Sequence, residues 1–195
     1  GVNLGTFTVY QPGELGFDGT NIWVSSYAGN TVTKLRASDG ANLGTFPANG
    51  ADGSAFDGAN MWVVEHNSGT IAKFRALDGA NLGTFPVGGY ATGVAFDGAN
   101  IWVVDGYGIG NVIKLRASDG ANLGTFAVGN GPRGIAFDGS NIWVTNFFSN
   151  DVTKIRASDG ANLGTFATGT GAVDVAFDGA NIWVANFDND TVTKL

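Results

Sequence analysis

The sequence predicts an all-β protein: a five-bladed β-propeller of four-stranded antiparallel blades, its ring closed by an N-terminal strand that completes the last blade. Three observations carry this expectation. They are a repeat of about 40 residues, two hairpin signals in every copy, and chain ends that are out of phase by one strand. The phrase Phe-Asp-Gly recurs at Phe17, Phe56, Phe96, Phe137 and Phe177, in steps of 39, 40, 41 and 40 residues. Six residues after each Phe stands a Trp (Trp23, Trp62, Trp102, Trp143, Trp183), and 11 or 12 residues further on a Lys (Lys34, Lys73, Lys114, Lys154, Lys194). The phrase Asn-Leu-Gly-Thr-Phe closes the unit, as at 42–46 and 162–166.

Within a unit the first strand ends at the Phe of Phe-Asp-Gly. The second carries the Trp, with Ile22 and Val24 alternating around Trp23. In the third, Val152, Lys154 and Arg156 alternate with Thr153 and Ile155. Both have the period of two and the β-branched and aromatic content of strands. Asp18-Gly19 separates the first two strands and Asp39-Gly40 the last two. Asp-Gly between alternating runs signals a hairpin, because Gly accepts positive φ and Asp bonds its own backbone. No segment shows a helical period with caps. One such sheet cannot bury both of its faces, so the copies must stack. A flat solenoid would leave apolar ends in need of caps, and none is visible.

These phases give a single domain over 1–195. Blade 1 covers about 10–48, blade 2 about 49–88, blade 3 about 89–128, blade 4 about 129–168, and blade 5 about 169–195 plus 2–9. Residues 2–9 read as a fourth strand without a third, and 191–195 as a third without a fourth. Closure within one chain predicts a monomer. An oligomeric ring assembled by the same phasing is the alternative.

Composition narrows the function classes. The chain has 195 residues with 32 Gly, no Cys, one His, 14% charged residues and a net charge of −7. The Gly residues follow no three-residue period, which excludes collagen, and 44% hydrophobic content excludes a disordered chain. Without Cys there is no disulfide framework, thiolate nucleophile or Cys-ligated zinc. No apolar run reaches the length of about 18 residues that spans a bilayer, so membrane insertion is not expected. The acidic balance and evenly spread Lys and Arg argue against a nucleic-acid partner. Nine of the 15 Asp sit in the repeated Asp-Gly turns, so most of the acidity is turn chemistry. No cofactor or metal motif is present; a calcium loop would need a pattern such as Asp-x-Asp-x-Asp-Gly. The chain begins without Met or a signal peptide, as a processed or recombinant fragment would.

The repeats differ at one end only. Phe to Trp is always six residues and Lys to the Gly of Leu-Gly-Thr always ten, so all length variation falls in the loop after the second strand and in the linker between blades. A meander puts both on the face opposite the Asp-Gly hairpins, and loops on a rigid scaffold are where ligands bind. Three residues after each Trp stand Ser26, Glu65, Asp105, Asn146 and Asn186, followed by Tyr27, His66, Gly106, Phe147 and Phe187. Glu14, Asp52, Arg133 and Asp174 precede the Phe-Asp-Gly phrases, where they would stand at the mouth of the channel.

Ile142-Trp143-Val144-Thr145-Asn146 and Asp151-Val152-Thr153-Lys154-Ile155 resemble the YVTN-type β-propeller repeat, with Trp in place of Tyr, and Ala185-Asn186 keeps its Ala-Asn variant. The layout is also similar to NHL and virginiamycin B lyase-like propellers, and the resemblance runs the whole chain. It implies the propeller fold and an extracytoplasmic location. It names no substrate, since those families include surface proteins, interaction platforms and an antibiotic-opening lyase.

Two functional expectations follow. The first is a non-enzymatic binding or scaffolding propeller that holds a protein or carbohydrate ligand on its variable face. Its contact residues would be Tyr27, Glu65, His66, Asp105, Tyr107, Arg133, Asn146, Phe147, Asn186 and Phe187, with Phe148 beside them. Aromatic faces beside Asn and Asp suit both ligand classes. The second is a lyase or hydrolase in which His66 acts as base beside Glu65; in the lyase family, however, most blades carry Glu where only Glu65 stands here. Glu14 and Asp174, neighbours across a five-fold seam, are a candidate carboxylate pair for glycoside hydrolysis or, together with Asp52 and Asp105, a candidate calcium site. A recently amplified or engineered scaffold without a specific ligand fits the near-identity of the repeats equally well.

Overall fold

The computed structural model describes residues 1–106 and 109–195. It is all-β, with nineteen strands in antiparallel sheets and no α-helix among the described residues. The chain divides into two compact units, Gly1–Pro86 and Val87–Leu195.

The first unit holds two four-stranded meanders. One is β1 (Leu15–Phe17), β2 (Asn21–Ser26), β3 (Thr31–Arg36) and β4 (Asn42–Pro47); the other is β5 (Ala51–Phe56), β6 (Asn60–Glu65), β7 (Thr70–Arg75) and β8 (Asn81–Pro86). The second unit holds β9 (Ala91–Phe96), β10 (Asn100–Asp105), β11 (Ile109–Arg116) and β12 (Asn122–Asn130). These are followed by β13 (Pro132–Phe137), β14 (Asn141–Asn146), β15 (Asp151–Arg156) and β16 (Asn162–Ala167). A last sheet of β17 (Ala172–Phe177), β18 (Ile182–Asn186) and β19 (Thr191–Lys194) has three strands.

The invariant spacing between Phe and Trp has a hydrogen-bonding cause. Oδ1 of Asp18 accepts the backbone N–H of Thr20 and Asn21 at 2.9 and 2.7 Å, and Oδ2 accepts the indole N–H of Trp23 at 2.8 Å. The Asn21 amide donates to the same carboxylate. Asp57, Asp97, Asp138 and Asp178 repeat the arrangement with Trp62, Trp102, Trp143 and Trp183. One carboxylate thus closes the turn and fixes the indole ring. Burial pushes the Asp18 carboxyl up, but the bonds from Trp23, Asn21 and the backbone outweigh it and hold the group below the usual carboxylate range.

The second hairpin is tied on the surface. Arg36 Nη1 lies 2.9 Å from Asp39 Oδ2, and Arg75, Arg116 and Arg156 make the same pair in their sheets. Beyond it, β3 and β4 slip by one residue: Lys34 faces Gly44 while Leu35 faces Asn42. Gly44 sits at this bulge with φ +152°, and a Cβ there would strike the Phe46 ring.

Sheets pack face to face. In the first unit Trp23, Val32 and Ala48 meet Met61, Val63 and Phe74, with Phe46 filling the layer. In the second, Trp102 and Val112 meet Ile142, Val144 and Ile155, while Trp143 and Val152 meet Val175, Ile182 and Val184. Each Trp of a complete sheet also packs on the Phe of its own fourth strand. Ring centroids lie 5.7 Å apart for Trp23 and Phe46 and 5.4 Å apart for Trp102 and Phe126. Lys34 Nζ lies over the Trp23 ring and donates to the carbonyls of Ala76 and Leu77 in the neighbouring sheet. Lys114 does the same toward Ala157 and Ser158.

The N-terminal segment differs from expectation. Residues 1–9 form no strand, and the β17–β19 sheet gains no fourth member. The segment packs on the β1–β4 sheet instead. There a Cβ on Gly40 would collide with the Phe7 ring, as one on Gly79 would with Phe46. Phe7 thus takes the position of a preceding sheet's fourth-strand Phe. Without a third strand beside it, the segment has no ladder to join.

Candidate functional site

The loops opposite the Asp-Gly hairpins are held by a recurrent backbone clip. His66 N–H donates to Gly50 O, Gly106 N–H to Tyr90 O, Phe147 N–H to Gly131 O and Phe187 N–H to Gly171 O. Asn30 and Asn150, both at positive φ, accept the N–H of Gly50 and Gly171 through Oδ1 at 2.8 Å. Loop and linker are therefore fixed to each other beneath whatever side chains they display.

The position three residues after each Trp lies under this clip. Asn146 and Asn186 are buried; their amides donate to Asp151 and Thr153, and to Thr191 and Thr193. Oδ1 of each has no protein donor among the described residues. Glu65 is 8% exposed. One of its oxygens accepts the Asn49 N–H at 3.1 Å and the other the Thr70 hydroxyl at 2.8 Å. Ser26 bonds the Tyr10 carbonyl, and the half-buried Asp105 accepts the Tyr90 N–H at 3.4 Å. These five residues latch the sheet ends.

What reaches the surface of the first unit is a small mixed group. Tyr27 meets His66 edge-on at 5.4 Å, and its hydroxyl donates to Asn67 Oδ1 at 2.9 Å. Burial and the neighbouring Glu14 push the Asp52 carboxyl up, and His66 partly offsets them. The structure thus brings His66, Asp52, Glu14 and Tyr27 together. Tyr10, exposed in the linker, was not among the sequence-derived candidates; its place before the first Phe-Asp-Gly was the only available signal.

The second unit displays aromatic residues. The Arg133 guanidinium stacks 4.1 Å from the Phe147 ring centroid, and Phe148 meets Phe147 edge-on at 5.2 Å. Phe148 is 65% exposed and Phe187 71%. Tyr90 is also exposed, in the linker position of Gly50, Gly131 and Gly171, where its carbonyl accepts the Gly106 N–H. Asp174 accepts the Val175 N–H and stands against Gly134. Tyr107 lies outside the described residues.

Among the described residues no group of three or more His, Asp or Glu side chains is placed to hold a metal ion, and no helix is long and apolar enough to cross a membrane.

Several solved structures share the fold. No protein-family model matches the chain, and no curated protein does. A candidate 6-phosphogluconolactonase from Bacteroides uniformis superposes with a TM-score of 0.79 at 15% identity, over 92% of this chain and 64% of its own. The computationally designed Ika8 protein gives 0.77 at 16% identity, over 92% of this chain and 56% of its own. A protein of unknown function from Desulfotomaculum acetoxidans gives 0.78 at 16% identity, over 95% and 69%. The chain therefore spans less than two thirds of the length of the first two. At these identities the likeness concerns the fold alone.

Proposed function

We propose that the chain is a non-enzymatic binding platform, its sheets the blades of a five-bladed propeller of YVTN type, and that its variable loops hold a protein partner. The observation that carries the reading is the cluster of Arg133, Phe147 and Phe148. It is an aromatic and guanidinium surface on loops whose backbones are already clipped in place. Arg and aromatic side chains are the types that dominate protein interfaces, and a fixed backbone lowers the ordering cost of binding. The stacked Arg133 covers one face of Phe147 that a sugar ring would otherwise use, which favours protein over glycan. Glu65 supports the same reading. It is 8% exposed, and its two oxygens hold the Asn49 N–H and the Thr70 hydroxyl, which makes it part of the latch beneath the loops.

Protein and glycan arrays, probed with the wild-type chain and with Phe148→Ala, test this. A protein ligand whose affinity drops about tenfold or more in the variant supports the proposal. Glycan binding, or protein binding that the variant leaves intact, overturns it.

A further inference from the structure

The repeat accounts for every basic side chain but one. Each of the five Lys lies over the Trp of its own sheet, and Arg36, Arg75, Arg116 and Arg156 each pair with the Asp of the second hairpin. Arg133 stands outside this pattern. It is exposed, and among the described residues no carboxylate pairs with it and no group accepts a bond from its side chain. Asp174, the acid that stands against Gly134, uses Oδ1 to accept the Val175 N–H.

The fold does not need a cation at this place. The same position before the other Phe-Asp-Gly phrases holds Gly13, Asp52, Thr92 and Val173, so Arg133 serves something other than packing. Its surroundings are nevertheless built. The Gly134 N–H donates to Thr145 Oγ1 at 2.8 Å, and the Thr92 hydroxyl donates to the Arg133 carbonyl at 3.4 Å. Phe147 and Phe148 donate their N–H groups to the carbonyls of Gly131 and Asn130. Gly131 has φ +66°, and a Cβ there would strike the Phe148 ring, so this glycine seats the ring. Stacking 4.1 Å from the Phe147 centroid occupies one flat face of the guanidinium and leaves the N–H groups along its edge to donate in plane.

We infer that the partner presents a peptide segment with an Asp or Glu side chain two residues from a large apolar one. The carboxylate accepts a bidentate pair of bonds from the edge of Arg133, and the apolar side chain covers Phe148, which is 65% exposed. Arg133 and Phe148 both touch Phe147. Side chains two apart on an extended peptide stand about 7 Å from each other on one face, so one short segment reaches both. Charge selects a single carboxylate rather than an acidic run. Arg133 attracts an anion, while the net charge of −7 repels a long series of them. The inference rests on the binding-platform reading and adds the chemistry that such a platform would recognise.

The test uses a library of short peptides, acetylated and amidated at their ends, that carry Asp-x-Leu, Asp-x-Phe, Glu-x-Leu or Glu-x-Phe. Each is matched by a counterpart with Asn or Gln in place of the acid. Binding to the 195-residue chain is read by fluorescence anisotropy. Acidic peptides are expected to bind about tenfold or more tightly than their amide counterparts, as a hydrogen bond to a charged group gives. Arg133→Gln should abolish that discrimination, Arg133→Lys should keep part of it, and Phe148→Ala should weaken both peptide sets alike. Arg133→Thr, which copies the residue at Thr92, serves as a second variant should the Gln form fold poorly. Equal binding of acid and amide peptides, still weakened by Phe148→Ala, overturns the carboxylate inference and leaves the platform reading standing. Discrimination that survives loss of Arg133 overturns it too. So does a library in which no peptide binds, and the protein array then decides the platform reading by itself.

Discussion

The two ends of each sheet are built on different terms. At the hairpin end a single Asp performs the same task five times, closing a turn and holding an indole. At the loop end the equivalent position is Ser26, Glu65, Asp105, Asn146 or Asn186, and each latches its neighbours by a different set of bonds. The difference shows which interactions the fold copies and which it leaves free. Packing depends on the Trp, so its anchor is invariant. The loop needs only some polar latch, so its chemistry drifts.

The largest break in this contrast should come from Asp57→Ala. It strands the buried Trp62 indole N–H and the Asn60 amide without their acceptor. We expect a loss of about 3 kcal/mol, read as a lowered urea midpoint with near-native spectra below the transition.

Acid should separate the two ends by sign. Asp57, Asp97 and Asp138 sit below the usual carboxylate range; burial raises them, but bonds from Trp, Asn and backbone prevail. Their contribution is complete above the unfolded value of about 4 and is lost as pH falls through the folded values. Asp52 at the loop end is shifted the other way, by burial and by Glu14, so it weakens the fold as pH rises through its folded value. Asp52→Asn is therefore expected to be more stable than wild type at pH 7, by less than the Asp57→Ala loss. The gain should vanish in acid, where both forms are neutral. Chemical denaturation at several pH values measures it.

The smallest effect belongs to the exposed ion pair of the second hairpin. Arg36 and Asp39 are 47% and 51% exposed, so Arg36→Ala should shift stability by no more than about 0.5 kcal/mol in thermal melts. A larger loss would mean that the second hairpin matters as much as the first.

Much of the fold could be read from the sequence, because turns and alternation are local signals. The strands of the described residues fall where Asp-Gly pairs and period-two runs place them. The reason for the six-residue spacing between Phe and Trp could not be read, since nothing in a string of letters shows that a turn carboxylate also accepts an indole N–H. The site was legible in part. Phe147, Phe187 and Tyr27 stand on loops as their positions suggested, whereas Glu65, Asn146 and Asn186 lie beneath them. Those residue types are ordinarily exposed, and only the linker wrapped over each sheet end buries them. Residues 2–9 repeat the fourth-strand phrase yet form no strand, because a strand is a property of a pair.

The clips under the variable loops are made by main-chain atoms, His66 N–H to Gly50 O and Phe147 N–H to Gly131 O. Main-chain atoms are the same for almost every amino acid. A mutation at a displayed position such as His66 or Phe147 therefore changes what is shown without removing the main-chain bond that holds it. New surfaces can arise by single substitutions, each immediately folded, and the fold acts as a fixed frame on which recognition can be rewritten one residue at a time.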